Sequence, residues 1–209
     1  MTPPLRLSLI RAEQLVASPW KNGGGVTREI AAQPPGASLD GFAWRVSVAD
    51  VAQPGPFSRF PGIDRTLVLL SGAGMSLIGE DGARRLLAAP LDRFDFDGEL
   101  ALSAELNDGP TRDFNLMTRR SAVTGRVSVL ADGAGIDSSA ATVLLFCASG
   151  TPSVSIDGAG EAGSVVLGAL DTLRIDLAVA TGAGITGSVR GEGALLCIEL
   201  TPKAAAKAA

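Results

Sequence analysis

The sequence predicts an all-β fold built from a duplicated module. Three observations predict it: short apolar segments separated by many of the 26 glycines and 12 prolines, period-two alternation inside several of those segments, and a strand pattern that recurs after 76 to 79 residues. Gly and Pro between short apolar runs are the turn punctuation of β chains. Alternation is clearest where Trp44, Val46 and Val48 oppose Arg45, Ser47 and Ala49, the pattern of a strand with one packed and one polar face.

Taken in order, Leu5 to Ile10 is apolar but short and interrupted by Arg6 and Ser8, so no signal peptide is expected. A short helix is expected around Arg11–Val16. Strands are then expected at Thr27–Ala31, Phe42–Ala49, Thr66–Leu70, Met75–Ile78, Arg93–Phe96, Leu100–Leu106 and Asp113–Thr118. The second half offers Arg126–Leu130, Val143–Ala148, Val154–Ile156, Val165–Leu167, Leu173–Leu177, Ile185–Val189 and Leu195–Leu200. Lys203 to Ala209, KAAAKAA, holds no core-forming residue larger than Ala and reads as a flexible tail.

The repeat organises these strands. TLVLLSGAGMSLIG from Thr66 aligns with TVLLFCASGTPSVSIDG from Thr142, PLDRFDF with ALDTLRI, and DFNLM with the ALLCIEL segment around Cys197. The expected organisation is a first module over residues 1–121, a second over 122–202, and the tail 203–209. Where the first copy has Asp113, Asn115 and Met117, the second is nearly all aliphatic. Any chemistry is therefore expected in the first module. The second reads as structural, with its V-V-L and L-L-C-I runs serving as a barrel core or, alternatively, as a homodimer interface.

Composition narrows the chemistry further. The 209 residues contain no histidine and no tyrosine. That excludes imidazole bases, Ser-His-Asp and Cys-His nucleophile systems and His-ligated metals. Two cysteines cannot form a four-thiolate metal site, and their apolar settings, LLFCAS and ALLCIEL, suggest buried reduced thiols in a cytoplasmic protein. A net charge of −4 offers no basic field for nucleic acid, and no apolar run reaches membrane-spanning length.

Four segments of the first half set polar residues among strand and turn signals. SPWKNGGGVTREI places Lys21 and Asn22 before three glycines and Thr27 and Glu29 after them. This is either a glycine-rich hairpin turn or a backbone freed for close approach. It lacks the Gly-Lys-Ser/Thr and the following helix of a phosphate loop. FAWRVSVADV puts Arg45 and Ser47 on one face beside the small Ala49. GPFSRFPGIDRTLVLL brings Asp64 and Arg65 to a strand mouth, where they read as a surface ion pair or as part of a cavity capped by Phe57 and Phe60. TRDFNLMTRR sets Asp113, Asn115, Met117 and Arg119 opposite Phe114, Leu116 and Thr118. That alternation fits a polar-lined cavity or an ordinary exposed sheet face.

In these four segments the chain resembles the HutD/Ves family of bacterial proteins. The motifs occur in the family's order and cover roughly the first 120 residues. The resemblance implies a bicupin fold, two cupin-like β-barrel modules in one chain. It implies a link to histidine utilisation as a regulator or ligand sensor, and for the Ves branch a link to environmental stress, without an established catalytic activity. Metal-binding cupins carry a histidine-containing motif in the first barrel. The comparable stretch from Gly55 toward Gly72 lacks those histidines, so the resemblance implies a metal-free cupin without cofactor. Its matching polar positions are Lys21, Asn22, Thr27, Glu29, Arg45, Ser47, Arg65, Asp113 and Asn115.

Converging arginines, a lysine, a serine and an asparagine suit a small acidic metabolite, because arginine grips carboxylates through charge-assisted bonds. The resemblance suggests urocanate, formiminoglutamate or formylglutamate. The alternative is a metal-free isomerase or hydrolase with Glu29 or Asp113 as base and Lys21 or Arg65 stabilising negative charge. Neighbouring arginines are expected to oppose the raised carboxyl pKa which that reaction needs.

Overall fold

The computed structural model describes residues 5–177 and 184–204. Every one of the fourteen predicted segments is a strand, and short strands missed at the sequence level join them. In chain order the strands are β1 (Leu5–Ile10), β2 (Ala17–Pro19), β3 (Gly25–Gln33), β4 (Trp44–Val51), β5 (Gly55–Pro56), β6 (Ile63–Ser71), β7 (Met75–Gly79), β8 (Arg84–Leu87), β9 (Arg93–Asp97), β10 (Leu102–Leu106) and β11 (Thr111–Arg119). They continue as β12 (Val123–Leu130), β13 (Gly135–Ser138), β14 (Thr142–Gly150), β15 (Ser153–Ile156), β16 (Ser164–Val166), β17 (Thr172–Leu177), β18 (Ile185–Arg190) and β19 (Gly193–Pro202). The helix expected at Arg11–Val16 shrinks to one 3-10 turn, Ala12–Gln14. The tail expected from Lys203 lies outside the described residues from Ala205 on.

The described residues divide into two units, one of residues 15–123 and one of residues 124–177 and 184–204 together with residues 5–14. The amino-terminal segment, grouped by sequence with the first module, thus belongs elsewhere. β1 pairs antiparallel with β17, Leu5 opposite Leu177 and Ile10 opposite Thr172. Nothing local in LRLSLI names that partner, because strand pairing is settled by long-range packing.

Within the 15–123 unit, one sheet has the order β2-β3-β4-β11-β6-β9 and the other β5-β10-β7-β8. The other unit has β1-β17-β14-β19-β12 and β13-β18-β15-β16. Adding eight to each label of β4-β11-β6-β9 gives β12-β19-β14-β17, and β5-β10-β7-β8 gives β13-β18-β15-β16. The duplication is therefore written in strand order as well as in sequence. Among the described residues each unit is a pair of separately hydrogen-bonded open sheets, where the sequence reading expected closed barrels.

One turn is repeated in detail. Leu91 and Leu170 both adopt left-handed φ, 73° and 69°. Leu91 N–H donates to Leu69 O and Leu170 N–H to Cys147 O, each at 2.8 Å. Leu69 N–H donates to Asp92 O and Cys147 N–H to Asp171 O, each at 2.9 Å. Leu69 and Cys147 are thus equivalent positions, and the registers carry the equivalence outward from them.

Packing explains the stability of each unit. In the 15–123 unit, Leu67 and Leu69 of one sheet bury against Met75, Leu77, Leu87 and Leu102 of the other. In its counterpart, Val143, Leu145, Cys147, Leu195 and Cys197 form a continuous apolar core with Val154 and Val189. Both cysteines are buried and unbridged, as expected. Asp171 secures the amino-terminal segment: its carboxylate accepts from Ala12 N–H at 2.9 Å, Arg11 Nη1 at 2.6 Å and Gly168 N–H at 3.0 Å. Burial pushes its pKa up, but those hydrogen bonds together hold it below the usual carboxylate range. Asp171→Ala is expected to cost about 1–3 kcal/mol by orphaning these donors, measured by urea denaturation. The wild-type advantage should be present above the unfolded carboxyl pKa and fade as pH falls through the lower folded value.

Candidate functional site

The register of the six-stranded sheet decides which side chains meet. β11 lies between β4 and β6, with Asp113 opposite Ala49 and Leu69, Asn115 opposite Ser47 and Leu67, and Met117 opposite Arg45 and Arg65. β3 continues two of these rows, with Thr27 opposite Ala49 and Glu29 opposite Ser47. Side chains alternate between faces along a strand. Leu67 and Leu69 point into the core of the unit, so Thr27, Glu29, Arg45, Ser47, Arg65, Asp113 and Asn115 share that inner face. Seven of the nine sequence candidates are brought together.

Lys21 and Asn22 are not among them. They occupy the exposed turn before β3, beyond the end at which Gly25 pairs with Val51. Six strand residues separate Val51 from Arg45, about 20 Å at ~3.3 Å per residue. The turn has a structural explanation of its own. Gly23 has φ +71°, and a Cβ on Gly25 would lie 2.5 Å from Asp50 O and 3.1 Å from the Trp20 ring. Asn22 Oδ1 accepts from Gly24 N–H at 3.0 Å, and Trp20 Nε1 donates to Thr27 Oγ1 at 2.7 Å. The glycine triplet is a tight hairpin turn held on a tryptophan.

Arg65 is the unusual residue. It is only 6% exposed, and its guanidinium carbon lies 5.2, 5.6 and 5.0 Å from the ring centres of Phe57, Phe60 and Phe96. Nη1 donates to Ser58 O at 3.4 Å. Phe57 and Phe60 were expected at a cavity mouth. Phe96 was missed, although it alternates with Phe94 in RFDF and stacks on it at 5.1 Å. Arg65 does not pair with its neighbour Asp64, which points to the other face and meets Arg120 Nε at 2.6 Å. Arg119 continues the row of Asp113, Asn115 and Met117, opposite Ile63, but at the strand end its side chain ties down a loop by donating to Phe42 O at 3.0 Å and Asp40 O at 2.8 Å.

The remaining polar groups are arranged around two cations. Arg45 Nε donates to Glu29 Oε2 at 2.7 Å, and Nη1 reaches Ser47 Oγ at 3.4 Å. Met117 separates the backbones of Arg45 and Arg65, leaving them about 10 Å apart across two strand spacings. Burial lowers the Arg65 pKa to about 10, with Asp113 opposing that shift and the Arg45 charge adding to it. Burial pushes Asp113, 2% exposed, up to about 7; Arg65 pulls the other way and Asp50 adds to the rise. From sequence the neighbouring arginines are expected to prevail. Desolvation wins instead, because the carboxyl is enclosed by apolar neighbours.

The second unit carries the same frame without the site. Register places Val143 where the first has Arg65, Leu195 where it has Asp113, and Cys197 where it has Asn115. The tetrapeptide Arg45-Val46-Ser47-Val48 recurs as Arg126-Val127-Ser128-Val129 on β12. Among the described residues no counterpart of β3 covers β12, and the Arg126 side chain is 74% exposed, against 13% for Arg45.

The chain matches the HutD family model over residues 12–196. The chain belongs to the HutD family. It is 42% identical over 173 residues to an uncharacterised 21.2 kDa protein in the hutC 3′ region of Pseudomonas putida, covering 82% of this chain and 87% of that protein. It is 42% identical over 111 residues to protein Ves of Escherichia fergusonii, covering 53% of this chain and 56% of Ves. The solved structure of HutD from Pseudomonas fluorescens superposes with TM-score 0.82 at 36% identity, covering 95% of this chain and all of that one. Cupin-like neighbours are more distant in sequence. A 2-hydroxyethylphosphonate dioxygenase has TM-score 0.63 at 13% identity over 92% of this chain and 78% of its own, a likeness of fold alone.

Cupin-like folds raise the question of a metal. Among the described residues no three His, Cys, Asp or Glu side chains gather as ligands. On the inner face Glu29 is committed to Arg45, and Asp113 lies within the electrostatic reach of Arg65. Two cations at the centre of a donor set oppose a third, so these residues do not fit a metal ion. Also among the described residues, no helix is long and apolar enough to cross a membrane.

Asp113 binds its proton more tightly folded than unfolded, so its own contribution to stability should fall as pH rises from ~4 to ~7 and then level off. Thermal melts of wild type and Asp113→Asn across the range should therefore differ by an amount that changes between pH ~4 and ~7 and is constant above it.

Proposed function

We propose that the inner face of the six-stranded sheet binds a small carboxylate metabolite, and that the protein is a metal-independent ligand sensor or regulator connected with histidine utilisation. On this reading the two units are cupin-type modules forming a bicupin, one holding the ligand and one structural. The observation that carries the reading is the row Arg45–Met117–Arg65, two arginines directed to one buried face. An anion between them would relieve their mutual repulsion and gain charge-assisted hydrogen bonds. Ser47 and Asn115 add neutral polar groups beside it. The link to histidine utilisation is supported by the HutD relative and by the location of another relative near hutC.

Other parts of the molecule fit this reading. Leu167, Leu195, Leu196, Cys197 and Ile198 are buried, which favours the structural role of the second unit over a homodimer interface. Two unbridged thiols suit a reducing, cytoplasmic setting.

A metal-free isomerase or hydrolase is the second reading, and one observation favours it. A buried carboxyl with a pKa near 7 is matched to general acid–base work. Glu29 suits that role less, being engaged by Arg45.

Isothermal calorimetry with urocanate, formiminoglutamate and formylglutamate tests both readings. Wild type is expected to bind at least one, and Arg45→Ala to bind it roughly tenfold or more weakly, the loss of one charge-assisted contact. Absence of heat and of thermal stabilisation with all three rejects the binding reading. Turnover of any of them that vanishes in Asp113→Asn selects the enzyme.

A further inference from the structure

We infer that the ligand of this face carries, besides its carboxylate, an N–H donor received by Asp113 and Asn115. The inference rests on the carboxylate-binding reading and specifies what lies at the other end of the ligand.

Buried polar atoms are almost always paired. Among the described residues, five buried side-chain atoms have no partner, and four lie on this face: Arg65 Nε, Asp113 Oδ2, Asn115 Oδ1 and, at its far end opposite Val51, the Thr111 hydroxyl. The fifth is the hydroxyl of Thr172 in the second unit; a hydroxyl both donates and accepts, so Thr111 sets no requirement on a ligand. Arg65, Asp113 and Asn115 are each more than nine-tenths buried. Asp113 and Asn115 sit two apart on β11, so their side chains project together, and Asn115 is flanked by Ser47 and Leu67.

The three atoms differ in what they need. Arg65 Nε is a donor and calls for an acceptor, which a ligand carboxylate supplies. The Asp113 and Asn115 oxygens are acceptors and call for a donor. A carboxylate alone would satisfy the first and, once Asp113 is ionised, be repelled by the second. A carboxylate bearing an amide, amidine or azole N–H satisfies both ends. The equivalent positions in the second unit, Leu195 and Cys197, remove the acceptors along with the arginine. The frame persists there without either half of the recognition.

The charged groups facing Asp113 are Arg65 on β6 and, further along the same face, Arg45 on β4 and Glu29 on β3. Asp50 lies on the opposite face of β4, where it meets Arg112 and Arg28. The facing sheet contributes Met75, Leu77, Leu87, Leu102 and Ala104, and β9 contributes Phe94 and Phe96, none of which titrates. Accepting an N–H favours ionised Asp113, so affinity for such a ligand should rise with pH through the Asp113 titration.

The test uses the full chain and two probes of one shape, N-acetylglycine and O-acetylglycolate, which differ only by N–H against O. The amide is expected to bind at least about tenfold more tightly and to gain affinity between pH 6 and pH 8, while the ester does not. The preference should collapse in Asp113→Leu and in Asn115→Leu. Should Asp113→Leu show no cooperative melt, Asn115→Leu and the wild-type pair still decide. Equal binding of amide and ester overturns this inference and leaves the carboxylate reading standing. Failure of both probes, together with acetate, urocanate and formylglutamate, overturns the carboxylate reading and this inference with it.

Discussion

A guanidinium buried inside a β-sandwich is the constraint around which the 15–123 unit is arranged. A cation removed from water is costly unless its surroundings compensate. For Arg65 the compensation comes from several strands and loops. Phe57 and Phe60 arrive from the segment before β6, Phe96 from β9 and Asp113 from β11. Aromatic faces attract a cation, more strongly once it is desolvated, and they hold the guanidinium without using its hydrogen-bonding edge. The loop that supplies two of the rings also supplies the Ser58 carbonyl.

The second unit shows what the same frame becomes without that cation. Val143 stands at the Arg65 position and the inner face closes as an ordinary apolar core. No desolvated charge has to be compensated, so aromatic and carboxylate partners are unnecessary: Leu173 and Ile175 stand where the first unit has Phe94 and Phe96. The two copies share turn geometry down to the left-handed leucine and the aspartate that follows it. The backbone is kept while a handful of inward residues is exchanged, which is how one fold can host different chemistry in different copies.

Much of the site was legible because a strand alternates. Arg45 with Ser47, and Asp113 with Asn115, could be assigned to common faces from spacing two alone. Thr27 and Glu29 follow the same rule on β3. Lys21 and Asn22 were illegible for the opposite reason. They sit in a turn, where chain proximity to Thr27 says nothing about direction, and Asn22 is spent on its own backbone. Arg119 continues the odd-numbered series of β11, yet at the strand end it is captured by the carbonyls of Asp40 and Phe42. Phe96 carried a readable alternation, but its value depends on β9 lying next to β6.

By itself the sequence determined the β class, the duplication and the faces of the strands, since these follow from local periodicity and from turn residues. Only the tertiary structure decided that β11 runs between β4 and β6, that β1 crosses to the second unit, and that the sheets stay open. It also decided the balance of charge. From sequence alone, arginines converging on the carboxyls are expected to keep them ionised. Burial reverses this, because the cost of desolvating a carboxylate depends on every residue around it and is written in no single segment.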